Sequence, residues 1–339
     1  MKAVTLAFGT ILTWLSCRAF RRTGAPALRA LTVGIGLLTA GAVLGGLLTC
    51  SLYVDGPGAD RHVPPDSQGL IGAVPDAVVI ATPHTLHYDQ VVAALDRGIH
   101  VLCEKPLCTD LELARDLVER AESGDPVLHV GYQRHQSPVF RTARRRLPEV
   151  AGDPTFVTAE ITQDWITHNR DAWRGDPDLS GGGMLYDTGS HLLDAVCWVT
   201  GATPESVDAQ MVFDDDADRV DRQATLTVRF ADDTVASVAV SGDAPRTREH
   251  LHLWGDDGAV YIEGEGWDRR DLRFLDADGT VVHPSTDSWE YESKPTAFLK
   301  CIREGRAPPA TARDALVVTA VTEAAYESAR TGRRVDVDL

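Results

Sequence analysis

Lysine is nearly missing from this chain: four (Lys2, Lys105, Lys294, Lys300) stand against 29 arginines. Bases as a whole are outnumbered, 33 to 50 acids, for a formal net charge of −17. That balance argues against nucleic-acid binding through a general basic surface. It suits a high-salt cytoplasm, where dense carboxylates keep a protein hydrated; biased gene composition is the other source of an arginine excess. Cysteine is sparse too. The six (Cys17, Cys50, Cys103, Cys108, Cys197, Cys301) form no CxxC pair and no zinc-ligand spacing, so free thiols in a reducing compartment are expected, with no metal site. What remains is ordinary: 339 residues, 43% hydrophobic, enough for about two domains with sizeable cores.

The charge is divided unevenly. Residues 1–70 carry six bases and three acids, a net of +3, and the rest carries −20. Ala30–Val54 is a run of 25 uncharged residues, long enough to cross a bilayer, with Arg18, Arg21, Arg22 and Arg29 ahead of it. Three readings fit this segment. It is a membrane anchor or export signal, placing the protein at or beyond the membrane through residues 30–54. It is a degenerate nucleotide-binding start, with Gly34-x-Gly36 followed by Thr39 where a third glycine belongs and Asp55 as the ribose acid. Or it is a rearranged or mistranslated 5′ end. Pro64-Pro65 and the Gly/Pro/Asp mixture up to Gly72 read as a linker.

From Pro75 the pattern is regular. Asp76–Ala81 and Ile99–Cys103 are continuous apolar runs that suit buried parallel strands, as does Val127–Tyr132. Helical spacing over His84–Arg97 and from Asp110 through Glu122 separates them. This is an incomplete doubly wound α/β sheet of Rossmann type over 71–134, and ligands bind such sheets at the strands' carboxyl ends. After Pro154 the rhythm changes to strands at Thr155–Gln163, Gln210–Phe213, Ala224–Phe230, Val235–Ser241, His250–Trp254, Ala259–Glu263 and Leu272–Leu275, with a helix to Thr200. The expectation is an antiparallel α+β domain over 135–292. Helices Lys294–Glu304 and Ala312–Thr331 then pack back on the first layer.

Three blocks carry a resemblance. Ala81-Thr82-Pro83 with His87 is similar to an A-T-P-x-x-x-H element, Glu104-Lys105-Pro106 to an E-K-P motif, and Gly181-Gly182-Gly183 through Asp194 to a G-G-G-x-L-x-D-x-G-x-H-x-x-D block. Together, in this order, they resemble the glucose–fructose oxidoreductase and inositol dehydrogenase family (Gfo/Idh/MocA) over about 75–336. The resemblance implies an oligomeric oxidoreductase moving hydride between NAD or NADP and the CH–OH of a sugar, cyclitol or related polyol, while the acidic composition and free thiols suggest a cytoplasmic location. It assigns Lys105, Asp187 and His191 to catalysis. Ala81, Thr82, Pro83, His87, Glu104, Lys105 and Pro106 then face the cofactor, and Tyr132, Gln133, Arg134, Trp173 and Arg174 the substrate. It also implies a cis peptide before Pro106. The chain departs from the family in lacking a clear N-terminal glycine fingerprint, so a non-catalytic binding homologue is the rival reading.

The residues suit the chemistry. Alcohol oxidation needs a base for the hydroxyl proton. Asp187 and His191, four apart, fall on one helix face, where the carboxylate would orient the imidazole and favour its protonated form. Lys105 would donate to the reacting oxygen. His84 reads more simply as a first-turn helix residue, and the scattered His250, His252 and His283 as strand positions.

Overall fold

The first three strands are apolar on both faces and each ends where a helix begins, so they pair side by side in parallel. The computed structural model describes residues 75–339 except 216, 268 and 287–289. Strands β1 (Ala77–Ile80), β2 (His100–Cys103) and β3 (Leu128–Val130) lie in the order β1-β2-β3, with Ile80 opposite Cys103 and Cys103 opposite Val130. Their carboxyl ends are therefore level. Helix α1 (His87–Leu95) follows a 3-10 turn at His84–Leu86, and the chain leaves it through Gly98 at φ 71. Helix α2 (Leu111–Ser123) is capped by the Asp110 carboxylate, which accepts from the Leu113 N–H at 2.9 Å. The readings of 1–74, including the membrane span at 30–54, lie outside the described residues.

Helix α3 (Pro138–Val150) has no counterpart in the sequence reading. Arg144-Arg145-Arg146 and Pro148 hide its apolar face of Phe140, Ala143, Leu147 and Val150, all buried.

The second layer has strands β4 (Pro154–Asp164), β5 (Pro204–Phe213), β6 (Asp221–Phe230), β7 (Val235–Ser241), β8 (Asp243–Gly255), β9 (Gly258–Glu265), β10 (Asp271–Asp276), β11 (Val281–Val282) and β12 (Val335–Asp336). Their order is β11-β10-β9-β8-β4-β7-β6-β5-β12. The sheet is mixed rather than wholly antiparallel: β4 runs antiparallel to β8 but parallel to β7. The reason is topological. β7 and β8 are consecutive and oppositely directed, and β4, made earlier in the chain, lies between them. Gly242 turns across the end of β4, and its carbonyl accepts the N–H groups of Trp165 and Ile166 at 2.8 and 2.9 Å. That contact holds Trp165 at the layer boundary.

Helix α4 (Ser190–Thr200) covers the sheet, and α5 (Lys294–Glu304) and α6 (Ala312–Thr331) end the helical set where the sequence places them. A Thr311–Asp314 capping box starts α6. Along its length α6 joins the two layers. Glu323 accepts the Leu111 N–H at 2.8 Å at the start of α2, and Ser328 accepts the Ala209 N–H at 2.9 Å on β5. Among the described residues no helix is long and apolar enough to cross a membrane.

Candidate active site

The glycine block leads the chain into the site. The short helix Pro177–Ser180 ends at Gly181, whose φ of 76 favours glycine. A Cβ on Gly183 would lie 2.0 Å from the Asp221 carbonyl oxygen, so only glycine lets the backbones meet. The buried Asp221 carboxylate accepts from the Gly183 and Leu185 N–H groups at 3.2 and 2.9 Å, and from the Tyr326 hydroxyl. Burial pushes its carboxyl up to about 6, although these donors oppose the rise.

Leu185–Gly189 then winds as a π-helical turn into α4. Asp187 sits on this turn with both carboxylate oxygens committed. Lys105 Nζ donates to Oδ1 at 2.8 Å and to the Asp187 carbonyl at 2.6 Å. Trp165 Nε1 donates to Oδ2 at 2.8 Å and Arg174 Nε to the same oxygen at 3.1 Å. Burial opposes ionisation, but the cations, Lys105 foremost, outweigh it and hold the Asp187 carboxyl below the usual carboxylate range. His84 Nε2 stands 3.8 Å from Oδ1, while its Nδ1 pairs with the Ser180 carbonyl at 2.9 Å. Burial, with the Lys105 charge behind it, pushes the His84 imidazole down to about 3. His84 is thus a buried wall of the site, with Trp173 edge-on at 4.8 Å.

His191 differs from expectation. It has no bond to Asp187, because the π turn removes the α-helical spacing and other donors take both carboxylate oxygens. Its Nδ1 is buried with no partner among the described residues. Burial, reinforced by the charges of Lys105, Arg134, Lys294 and Arg270, drives the ring well below its ordinary value. The resting state is neutral imidazole, not the carboxylate-paired imidazolium.

The other expected residues divide. His87 is fully buried, with Nδ1 2.8 Å from the Pro106 carbonyl and Nε2 2.9 Å from the Thr82 carbonyl. It clamps the loops after β1 and β2 together rather than facing a ligand. Ala81 is exposed at the end of β1; Thr82 and Pro83 are half-buried, and the Thr82 hydroxyl donates to Gln90 at 2.8 Å. Glu104 pairs with Lys294, and the Lys105–Pro106 peptide is cis.

Tyr132 is buried and packs its ring 6.2 Å from that of His191, so it lies behind the imidazole rather than open to a ligand. Arg134 is also buried: its Nε donates to Glu249 Oε1 at 2.7 Å. Gln133 lines a cavity of about 580 Å³ beside it. Trp173 and Arg174 do reach the site, through His84 and Asp187.

Sequence reasoning missed Trp165, Asp221, Glu249, Arg270 and Lys294 as site residues. Each comes from an element remote in the chain, and no local motif marks it. A weak signal exists for Lys294, one of so few lysines. Among the described residues no cluster of His, Cys, Asp and Glu could hold a metal ion.

A parallel α/β layer whose strand ends meet a lysine–aspartate pair and a neutral histidine, backed by a mixed sheet, defines a two-domain oxidoreductase of Rossmann type. Residues 62–132 match the oxidoreductase family with an NAD-binding Rossmann fold, and 140–261 match the GFO/IDH/MocA C-terminal domain. Residues 1–57 match a separate family of unknown function (DUF7521). The chain is 30% identical over 275 residues to the D-xylose 1-dehydrogenase [NADP(+)] of Haloarcula marismortui, covering 78% of this chain and 75% of that protein. It is 26% identical over 276 residues to the scyllo-inositol 2-dehydrogenase (NAD(+)) of Bacillus subtilis, covering 78% of each. Among solved structures, a levoglucosan dehydrogenase complex with NADH and levoglucosan superposes with a TM-score of 0.69 at 23% identity, over 81% of this chain and 84% of that one. The chain belongs to the Gfo/Idh/MocA family of oxidoreductases.

The described residues fit the reacting end of a nicotinamide cofactor. The level ends of β1 and β2 open beside Lys105 and the unpartnered His191 Nδ1. A glycine loop for the cofactor's diphosphate would lie upstream of residue 75, outside the described residues.

Proposed function

We propose that this chain is a nicotinamide-dependent dehydrogenase acting on a CH–OH carbon of a sugar, cyclitol or related polyol. The observation that carries the reading is the convergence of Lys105, Asp187 and His191 at the ends of the parallel strands. Thr82, Pro83 and the Glu104–Pro106 loop hold the nicotinamide end of the cofactor, which when bound supplies the acceptor for the hydride. The neutral imidazole of His191 takes the hydroxyl proton. Two of the three Lys105 N–H donors are spent on Asp187, and the third is free to donate to the reacting oxygen and ease alkoxide formation. Asp187 positions Lys105, and Trp165 positions Asp187.

The test is NAD(P)H formation over a polyol panel with wild type, Lys105→Ala and His191→Ala. Wild-type turnover with loss in both variants supports the assignment; equal activity in all three overturns it.

The outward face of the mixed sheet supports a homo-oligomer. Phe156 and Trp254 stack there at 5.7 Å, with Tyr261 beside them at 5.7 Å from Trp254, and Phe156 is exposed. A light-scattering mass of one chain would refute this. The four described cysteines are free thiols, which supports work in a reducing cytoplasm.

A further inference from the structure

The cavity beside His191 has the chemistry of an anion site. It is lined by Arg134, Arg269 and Arg270, together with Trp267, whose ring centroid lies 6.2 Å from that of His191. Its volume of about 580 Å³ falls in the range of small-molecule sites. Ser137, Pro138, Val139 and Phe140 form another wall, so the cavity opens on the N-terminus of the 13-residue helix α3. No side chain caps that terminus. The N–H groups of Val139 and Phe140, in its first turn, have no intrahelical carbonyl to meet, and the helix dipole adds positive potential there.

A second feature points independently to a ligand. Arg134 is 3% exposed, yet its Nη1 is buried without a partner among the described residues. Leaving a guanidinium N–H unpaired in a buried site is costly unless something else accepts from it. Glu249, itself buried, accepts from Arg134 and Arg270 and holds both guanidinium groups in place. It neutralises one of the three lining arginines, so a positive excess remains.

We propose that the substrate carries an oxyanion, carboxylate or phosphate, and that this cavity grips it while His191 and Lys105 address the CH–OH. The inference deepens the proposed function and rests on it. The anionic group meets Arg269 and the α3 terminus, with the buried Arg134 guanidinium behind them. Trp267 spans the distance to His191, with one side on the cavity and the ring against the base.

The test compares D-glucose, D-glucuronate, D-gluconate and D-glucose 6-phosphate as substrates of the full chain, with NAD and with NADP. A KM at least tenfold lower for an acid or phosphate than for glucose supports the proposal, and the better of the two arms identifies the oxyanion. Arg269→Gln should then raise that KM about tenfold and shrink the preference, while Arg313→Gln, on a distant surface, should not. Equal or better turnover of glucose overturns the inference and leaves the proposed function standing. Should no compound turn over, calorimetry with gluconate and with inorganic phosphate decides separately. Binding weakened about tenfold by Arg269→Gln keeps the anion site, and the polyol panel decides the dehydrogenase reading separately. Absent binding, or binding indifferent to Arg269→Gln, overturns the site.

Discussion

Lys105 Nζ lies 2.8 Å from Oδ1 of Asp187 and 2.6 Å from the carbonyl oxygen of the same residue. The two residues stand 82 apart in the chain, at the end of β2 and on the π turn before α4. Both side chains are about nine-tenths buried. The pair therefore joins the two layers at the point where chemistry is proposed.

Removing one partner should expose what the pair does. Asp187→Asn leaves the Lys105 charge uncompensated in a buried site and is expected to destabilise the fold by about 3–5 kcal/mol. Lys105→Ala instead should lower kcat by about 10²–10⁴-fold. Urea unfolding and steady-state kinetics on the two variants separate the effects.

The state of His191 sets the pH profile. Its folded value lies well below 6.5, so the proposed base stays deprotonated through neutral pH, and activity is expected to fall only on stronger acidification. The expected kcat/KM profile has no acidic limb at pH 6–7. A break near 6.5 that vanishes in His191→Ala would contradict this.

Stability should fall with acidification for a related reason. His84, held at about 3, His129, held at about 4 by burial, and His191 are all neutral when folded, whereas the unfolded chain protonates near 6.5. The unfolded state thus binds more protons below pH 6.5, and stability declines as pH falls toward those folded values. Each contributes up to about 1.4 kcal/mol per pH unit. His135 does not add to this slope. Burial opposes its charge, but Asp194, 2.9 Å away, prevails and raises its value, so both states are protonated below 6.5. Denaturant titrations at pH 7, 6 and 5 measure the decline.

Gly183 should tolerate no side chain. Gly183→Ala brings a methyl against the Asp221 backbone, which cannot rotate away, at an expected cost of about 3 kcal/mol. Gly201→Ala is the contrasting variant. Its φ of 71 is strained for alanine, but nothing lies within 4 Å, so its cost should be about 1 kcal/mol. Comparing the two unfolding midpoints separates close approach from backbone strain.

The acid excess predicts a salt response. Raising KCl from about 0.1 to 1 M shortens the Debye length to about 3 Å and relieves repulsion among surface carboxylates. Thermal melts should shift upward by about 5 °C. A downward shift would mean that surface ion pairs such as Arg313–Glu122 outweigh the repulsion.

Much of the layering was legible in one dimension. Continuous apolar runs marked β1, β2 and β3, and the sequence placed helices at Lys294–Glu304 and Ala312–Thr331, because these patterns are local. The three motif blocks named Lys105, Asp187 and His191. Helix α3 was hidden by its arginines and Pro148, whose polarity says nothing of the packed opposite face.

What tertiary structure alone decided is how those residues meet. The i, i+4 spacing of Asp187 and His191 suggested a pair, but Lys105, Trp165 and Arg174 converge on the carboxylate from three other elements and leave His191 neutral. His87 became a clamp because two loops bring carbonyls to both its nitrogens. The direction of β4 followed from its place between β7 and β8. Composition and periodicity determine which elements form; the partner a buried charge finds depends on long-range packing, which no short window of sequence contains.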